Sequence, residues 1–322
     1  MGWSLADRLR GMPSTTSVLA SCCSALAATP PRLVRPRRRD GRLLASITDA
    51  GVPSASTAVR LTALPQARQK VPAAVIAEGV RTGRRLAIGM TTFLVEHPRA
   101  RFLIDPALGH DVHARVLPEL PGPLRIVVTP DRPVLGLIEA LDRAGHRPED
   151  LDFAVPTHLH WDHVAGLTEI GGLAVLTTEI ERAHALDGPD VPLGYVRGPL
   201  LDREIDTYTL SGPPVLTFAA SLDLFGDGSV VLVDLSGHTP GSIGVLLAVE
   251  GGRRVLLTGD AIWHGLQARL LRQKAPFPGR LVDADREATF ATVHRLHALP
   301  ETIEILASHD RDAATPWTRL AV

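Results

Sequence analysis

From Val71 onward, short apolar runs alternate with Gly, Pro and charged residues. Runs rich in β-branched and apolar residues predict strands at 73–80, 86–96, 101–105 and 124–129. Residues 133–144 place Val134, Leu137, Ile138 and Leu141 at the i, i+3, i+4, i+7 spacing of an amphipathic helix. Pro133 suits its first turn and Gly145 its end. A short buried strand is expected at 151–155. Beyond it, strands are predicted at 173–176, 215–219, 229–235, 243–249, 253–257 and 303–307, with helices at 178–186 and 283–297. The stretch 187–212 is irregular and carries Tyr195. Strands interleaved with helices indicate an α/β fold.

Residues 1–70 read differently. They are rich in Ser, Thr, Pro, Ala and Arg and show no sustained period. The expectation is a weakly ordered extension over 1–70, followed by one catalytic domain over 71–322. An export signal is the alternative: Arg8 and Arg10 supply a basic start, and Leu19-Ala20-Ser21-Cys22 resembles a lipoprotein cleavage box. The segment 11–18 is too polar for a good apolar core of such a signal, and a mis-chosen start codon would also explain the stretch. The run Arg35-Pro36-Arg37-Arg38-Arg39 has no interleaved aromatics, so it reads as a solvated linker and not a nucleic-acid patch.

Composition narrows the partners. The net charge of −1 gives no field that would draw the chain to nucleic acid. No apolar run is long enough to span a membrane. A cytoplasmic protein with a small-molecule substrate is expected, with export or lipid attachment at Cys22 as the alternative. Cys22 and Cys23 are adjacent, so no disulfide framework follows.

The chemistry lies at the strand ends. The strand expected at 151–155 runs into Thr157-His158-Leu159-His160-Trp161-Asp162-His163. Three later strands end the same way, at His238, Asp260 and His309. Imidazole and carboxylate are the usual ligands of zinc and related ions. One catalytic zinc takes three protein ligands and keeps an open position. Five histidines and two aspartates suit two ions.

The pattern H-x-H-x-D-H at 158–163, then Gly237-His238-Thr239-Pro240-Gly241-Ser242, Thr258-Gly259-Asp260 and Ser308-His309-Asp310, resembles the metallo-β-lactamase-fold superfamily over 71–322. The resemblance implies an αββα sandwich, two mixed β-sheets flanked by helices, with metals at one edge. It implies that His158, His160 and His238 hold one divalent ion, that Asp162, His163 and His309 hold the other, and that Asp260 bridges. Asp162 would also act in catalysis by hydrogen-bonding the nucleophilic water. Zinc is the expected metal, with iron or manganese as alternatives. The turn 239–242 would aim His238. His97, His146, His184, His294 and His297 read as surface or helix residues, while His110, His113 and His264 border the site in this family and could touch substrate.

Within the superfamily, common di-zinc β-lactamases carry Cys where Asp260 stands. Glyoxalase II enzymes have a helical segment beyond the last histidine, and only 13 residues follow His309. Flavodiiron proteins carry Glu where His160 stands. RNA-processing members need a nucleic-acid exosite, which near-zero charge does not support. The layout is most similar to the N-acyl homoserine lactone lactonase branch. That branch places a substrate-contacting tyrosine three residues after the bridging aspartate, where this chain has Trp263. Tyr195 or Tyr208 could substitute, or Trp161 and Trp263 could form an apolar wall for a greasy substrate. The expected function is hydrolysis of a lactone or other small ester by a metal-bridging hydroxide. The alternatives are an iron-dependent oxidoreductase of the persulfide dioxygenase type, or a thioester or phosphodiester hydrolase.

Overall fold

The computed structural model describes residues 11–318. Its centre is a pair of β-sheets. The first contains β1 (Arg60–Pro72), β2 (Arg85–His97), β3 (Ala100–Ile104), β4 (Phe153–Val155), β5 (Ala174–Thr178) and β6 (Ile205–Tyr208), in that order. β1 to β3 pair antiparallel and β3 to β6 parallel. The second contains β7 (Ser221–Asp223), β8 (Val230–Asp234), β9 (Ile243–Val249), β10 (Arg253–Leu257) and β11 (Ile303–Leu306), in the order β11-β10-β9-β8-β7. Only β10 and β11 pair parallel there.

The helices that matter for the site are α1 (Thr15–Val34), α2 (Gly122–Val128), α3 (Leu137–Arg143), α4 (Trp161–Val164), α5 (Glu179–Leu186), α6 (Gly265–Leu270), α7 (Pro276–Val282) and α8 (Arg286–His297). Among the described residues no helix is long and apolar enough to cross a membrane.

Alternation along the strands builds three apolar layers. Phe93, Val95, Phe102 and Ile104 meet Leu232, Val245, Leu247 and Leu257 between the sheets. Leu94 and Leu103 point the other way, towards the helical layer of Leu137, Leu141 and Val164. Val231, Val233 and Leu246 face Phe290, Val293 and Leu296 of α8. Strands apolar on both faces belong in the middle of a helix-covered sandwich. Each fully buried Leu or Phe in these layers contributes about 1.5–3 kcal/mol. The αββα architecture expected from the motifs is the one observed.

Several local expectations are corrected. Residues 73–80 were expected as strand, yet Ala73–Ile76 is a helical turn. Residues 124–129 were expected as strand, yet Gly122–Val128 is helical. Short apolar runs do not distinguish buried strand from buried helix by period. At 215–219 only a bridge between Val215 and Phe218 forms.

The expected boundary at Val71 falls inside β1, which is paired with β2 along its length. Upstream, α1 is capped by Ser14, whose side chain accepts from Ser17 N. It buries Val18, Cys22 and Ala25, and Cys22, weighed as a lipid-attachment site, sits mid-helix facing the core. The basic start at Arg8 and Arg10 lies outside the described residues. Arg37 N donates to Glu78 at 2.6 Å, which docks the linker read as solvated.

Candidate metal centre

Parallel strands bring their carboxyl ends to one edge, and both sheets contribute there. β4 leads through Thr157 to His158. His160 is the residue before α4, which carries Asp162 and His163 in its single turn. His238 follows β8, Asp260 follows β10 and His309 follows β11. Two glycines allow the close approach. Gly259 has φ of +50°, and a Cβ there would lie 2.4 Å from Thr157 Oγ1. A Cβ on Gly241 would lie 2.5 Å from Glu181 Cβ.

All seven predicted ligands meet. His160 Nδ1 lies 3.1 Å from His158 Nε2 and 3.0 Å from His238 Nε2. Asp162, His163 and His309 form a second group, with His309 Nε2 3.5 Å from Asp162 Oδ2. Asp260 lies between them. Its Oδ1 is 3.3 Å from His163 Nε2 and 3.0 Å from His309 Nε2, and its Oδ2 is 3.5 Å from His238 Nε2. One carboxylate thus offers an oxygen to each group.

The donor set fits two cations. His163 Nε2 and Asp260 Oδ1 are buried and lack hydrogen bonds. Leaving such groups unpaired costs roughly 1–3 kcal/mol each, which a shared ion would offset. His309 Nδ1 faces Gly89 O at 2.6 Å, and a carbonyl only accepts, so Nε2 is the nitrogen turned to the cluster. Asp283 Oδ1 likewise takes His238 Nδ1 at 2.9 Å. Burial, then the neighbouring imidazoles, lower His158 and His160 well below the usual histidine range, leaving them neutral as ligands must be. Burial alone would lower His163 and His309, but Asp105 and Asp260 at His163, and Asp260 at His309, raise both. Burial would raise Asp260, yet His309 and His163 hold it well below the usual carboxylate range.

The supporting residues escaped the sequence reading. Asp105, at the end of β3, accepts from Thr157 N at 2.6 Å, Thr157 Oγ1 at 3.1 Å and Ser308 Oγ at 2.7 Å. It also lies 2.9 Å from His163 Nδ1, an ion-pair contact without hydrogen-bond alignment. Its signal was present: an apolar strand ending in Asp before Pro106, like the other strand ends. Asp283 is fixed by fully buried Lys274, whose Nζ reaches Asp283 Oδ1 and Asp260 O, each at 2.8 Å. Burial would raise Asp283, but Lys274 and His238 hold it below its usual value. Glu181 accepts from Leu159 N at 2.9 Å, Thr239 Oγ1 at 2.7 Å and Gly241 N at 3.0 Å, so one buried carboxylate ties the 158–160 loop to the 238–241 turn.

The expected substrate contacts divide. Trp161 and Trp263 line a small recess of about 40 Å³ over His160, His238 and Asp260. Trp263 Nε1 donates to Asp260 Oδ2 at 2.7 Å. Tyr195 is not presented to substrate: it is buried behind His160 and its hydroxyl donates to Glu181 at 2.8 Å. Burial and the Glu181 carboxylate push its phenol well above the usual range. Tyr208 lines a separate cavity with Thr178 and Pro240. His264 caps α6 and pairs with Asp310. His110 pairs with Glu169 and lines a separate, open cavity of about 720 Å³ that contains no cluster residue. His113 borders neither cavity at the cluster.

The sequence matches the family model of the metallo-beta-lactamase superfamily over residues 89–309. The chain belongs to the metallo-beta-lactamase superfamily. It is 31% identical over 190 residues to a Mycobacterium tuberculosis protein described as a metallo-hydrolase, covering 53% of this chain and 59% of that one. The chain thus matches little more than half the length of that relative. It is 26% identical over 268 residues to N-acyl homoserine lactonase AttM of Rhizobium radiobacter, covering 80% of this chain and 95% of the relative. Among solved structures, an N-acyl homoserine lactone hydrolase with the product N-hexanoyl-L-homoserine at its metal centre superposes with a TM-score of 0.60 at 20% identity. That match covers 82% of this chain and 98% of the other, and supports the shared fold.

Proposed function

We propose that this chain is a two-metal hydrolase that opens a lactone or cleaves another small ester. The observation that carries the reading is Asp260, whose two oxygens face the two histidine groups separately. His158, His160 and His238 would hold one ion, and Asp162, His163 and His309 the other, zinc being the first choice for this nitrogen- and oxygen-rich set. Two bound divalent ions supply an activated water at neutral pH and polarise the substrate carbonyl.

The chain's own residues do the rest. Asp162 lines both the recess over the cluster and the larger cavity beside it, so its carboxylate can hold the proton lost by the attacking water and release it outward. Trp161 and Trp263 exclude bulk water from one side of the recess. The 80% coverage by proteins named N-acyl homoserine lactonase supports a cyclic ester as substrate class.

The test is metal analysis of the purified protein with a panel of lactones, aryl esters, thioesters and phosphodiesters. Two zinc ions per chain and lactone opening are expected. Asp260→Asn should lower both occupancy and kcat/KM, the latter at least about 100-fold. Wild-type occupancy and rate in that variant would end the bridging role. Iron with oxygen consumption, and no hydrolysis, would overturn the reading in favour of an oxidoreductase.

A further inference from the structure

A cavity of about 270 Å³ opens from the cluster along the β1–β2 ribbon. Asp162, His309 and Trp263 form its inner end. Val75, Ile88, Met90, Val128 and Phe277 give it apolar walls. Lys70 and Arg85 also line it. Lys70 is paired with Ala87 across the ribbon and Pro72 with Arg85, so the two cations sit diagonally on one face. The position of that pair follows from the strand. Gly89 N donates to His309 O at 3.0 Å, so β2 touches the cluster at Gly89. Arg85 lies four residues back along β2, about 13 Å away at a strand's rise.

The charges are arranged for a ligand with two different ends. Among the described residues Asp162 is the one carboxylate lining this cavity, and it sits at the cluster end. The Arg85 guanidinium, among the described residues, reaches only the backbone carbonyl of Lys70, at 2.5 Å. Among the described residues neither cation is paired with a carboxylate. An alkyl chain would lose its hydration shell against the walls, while an anion at its far end would meet two unneutralised donors.

We propose that the substrate is an ester or lactone whose acyl chain runs along this cavity and ends in an anion, most simply a carboxylate, held by Lys70 and Arg85. The assignment rests on the hydrolase reading for its scissile bond, and on the cavity alone for its anionic end. Lys70 and Arg85 are exposed, and exposed pairs contribute modestly, so the expected preference over an uncharged chain is about tenfold.

The experiment uses the full chain loaded with zinc. It compares kcat/KM for the 4-nitrophenyl monoester of nonanedioic acid with that for 4-nitrophenyl nonanoate, in the wild type and in the double variant Lys70→Gln, Arg85→Gln. The carboxylate-ended ester should be preferred at low salt, the preference should shrink with added salt, and the ratio should approach one in the double variant. A second arm reads binding without turnover, by calorimetry of nonanedioate against nonanoate. The dicarboxylate should bind more tightly to the wild type, and that gain should vanish in the double variant. Equal binding of the two acids, or a preference that survives the double variant, overturns the proposal. If neither ester is cleaved but the dicarboxylate gain depends on Lys70 and Arg85, the hydrolase reading fails and the anionic subsite stands.

Discussion

Trp263 stands three residues after Asp260, and its indole N–H donates to the carboxylate oxygen that faces His238. A donor on that oxygen restricts how the carboxylate can rotate between the two histidine groups. Trp263→Phe keeps an aromatic wall and removes only the donor. Zinc affinity at the proposed centre should fall about 10-fold with the fold intact, as competition with a chromophoric chelator would show. An unchanged affinity would return Trp263 to wall packing alone. At this scale the sequence was legible for the residues that converge as candidate ligands and poorly legible for their supports. His158 to His163 announce themselves because clustered imidazoles have little structural use. Lys274 and Glu181 do not, since a buried charge looks in sequence like any exposed one. Their partners come from Asp283 and Thr239, distant along the chain, and only the fold reveals them.

Among elements, the hairpin of β2 and β3 is tied to the β7–β8 turn by His97 and Asp227, whose side chains meet at 2.9 Å. His97 also stacks on Phe225, with ring centroids 3.9 Å apart. Burial would raise the Asp227 carboxyl, but Ser229 and His97 outweigh it and hold it at about 2. A carboxylate depressed on folding stabilises above its unfolded value of about 3.9, and that contribution fades as pH falls towards about 2. Urea midpoints of wild type and Asp227→Asn should therefore differ most above about pH 5 and converge towards about pH 2. A gap independent of pH would place the effect in packing. The missed elements have physical causes of the same local kind. β1 carries Pro65 and a register shift between Pro65 and Ala67, which breaks the strand signature. The bulged Gln66 is satisfied by Leu135 O, Leu108 N and Thr92 Oγ1. α1 buries only Val18, Cys22 and Ala25, a stripe too small to show as amphipathic.

For the whole molecule, the recurring strand-end motifs made the sandwich legible, because each motif needs a strand delivering it to a common edge. The expectation of weak order is corrected for residues 11–70, because their order comes from docking on elements far along the chain. α1 packs on α7 and α2, with Thr29 Oγ1 accepting from Phe277 N at 2.9 Å. Those two helices supply Val127, Val128 and Phe277 to the cavity wall. Deleting residues 1–35 should cost about 3 kcal/mol in denaturant unfolding and raise KM for ester substrates, with less effect on kcat. A truncated chain with native stability and KM would make α1 a passenger. Asp105 acts across the same scale, because it joins the ends of β3, β4 and β11 through Thr157 and Ser308. With the candidate ligands drawn from both sheets, neither sheet can open at this edge without separating the cluster. Amide hydrogens of β4 and β11, far apart in sequence and in different sheets, would then exchange with solvent in one concerted opening, slowed by every ion the centre takes up.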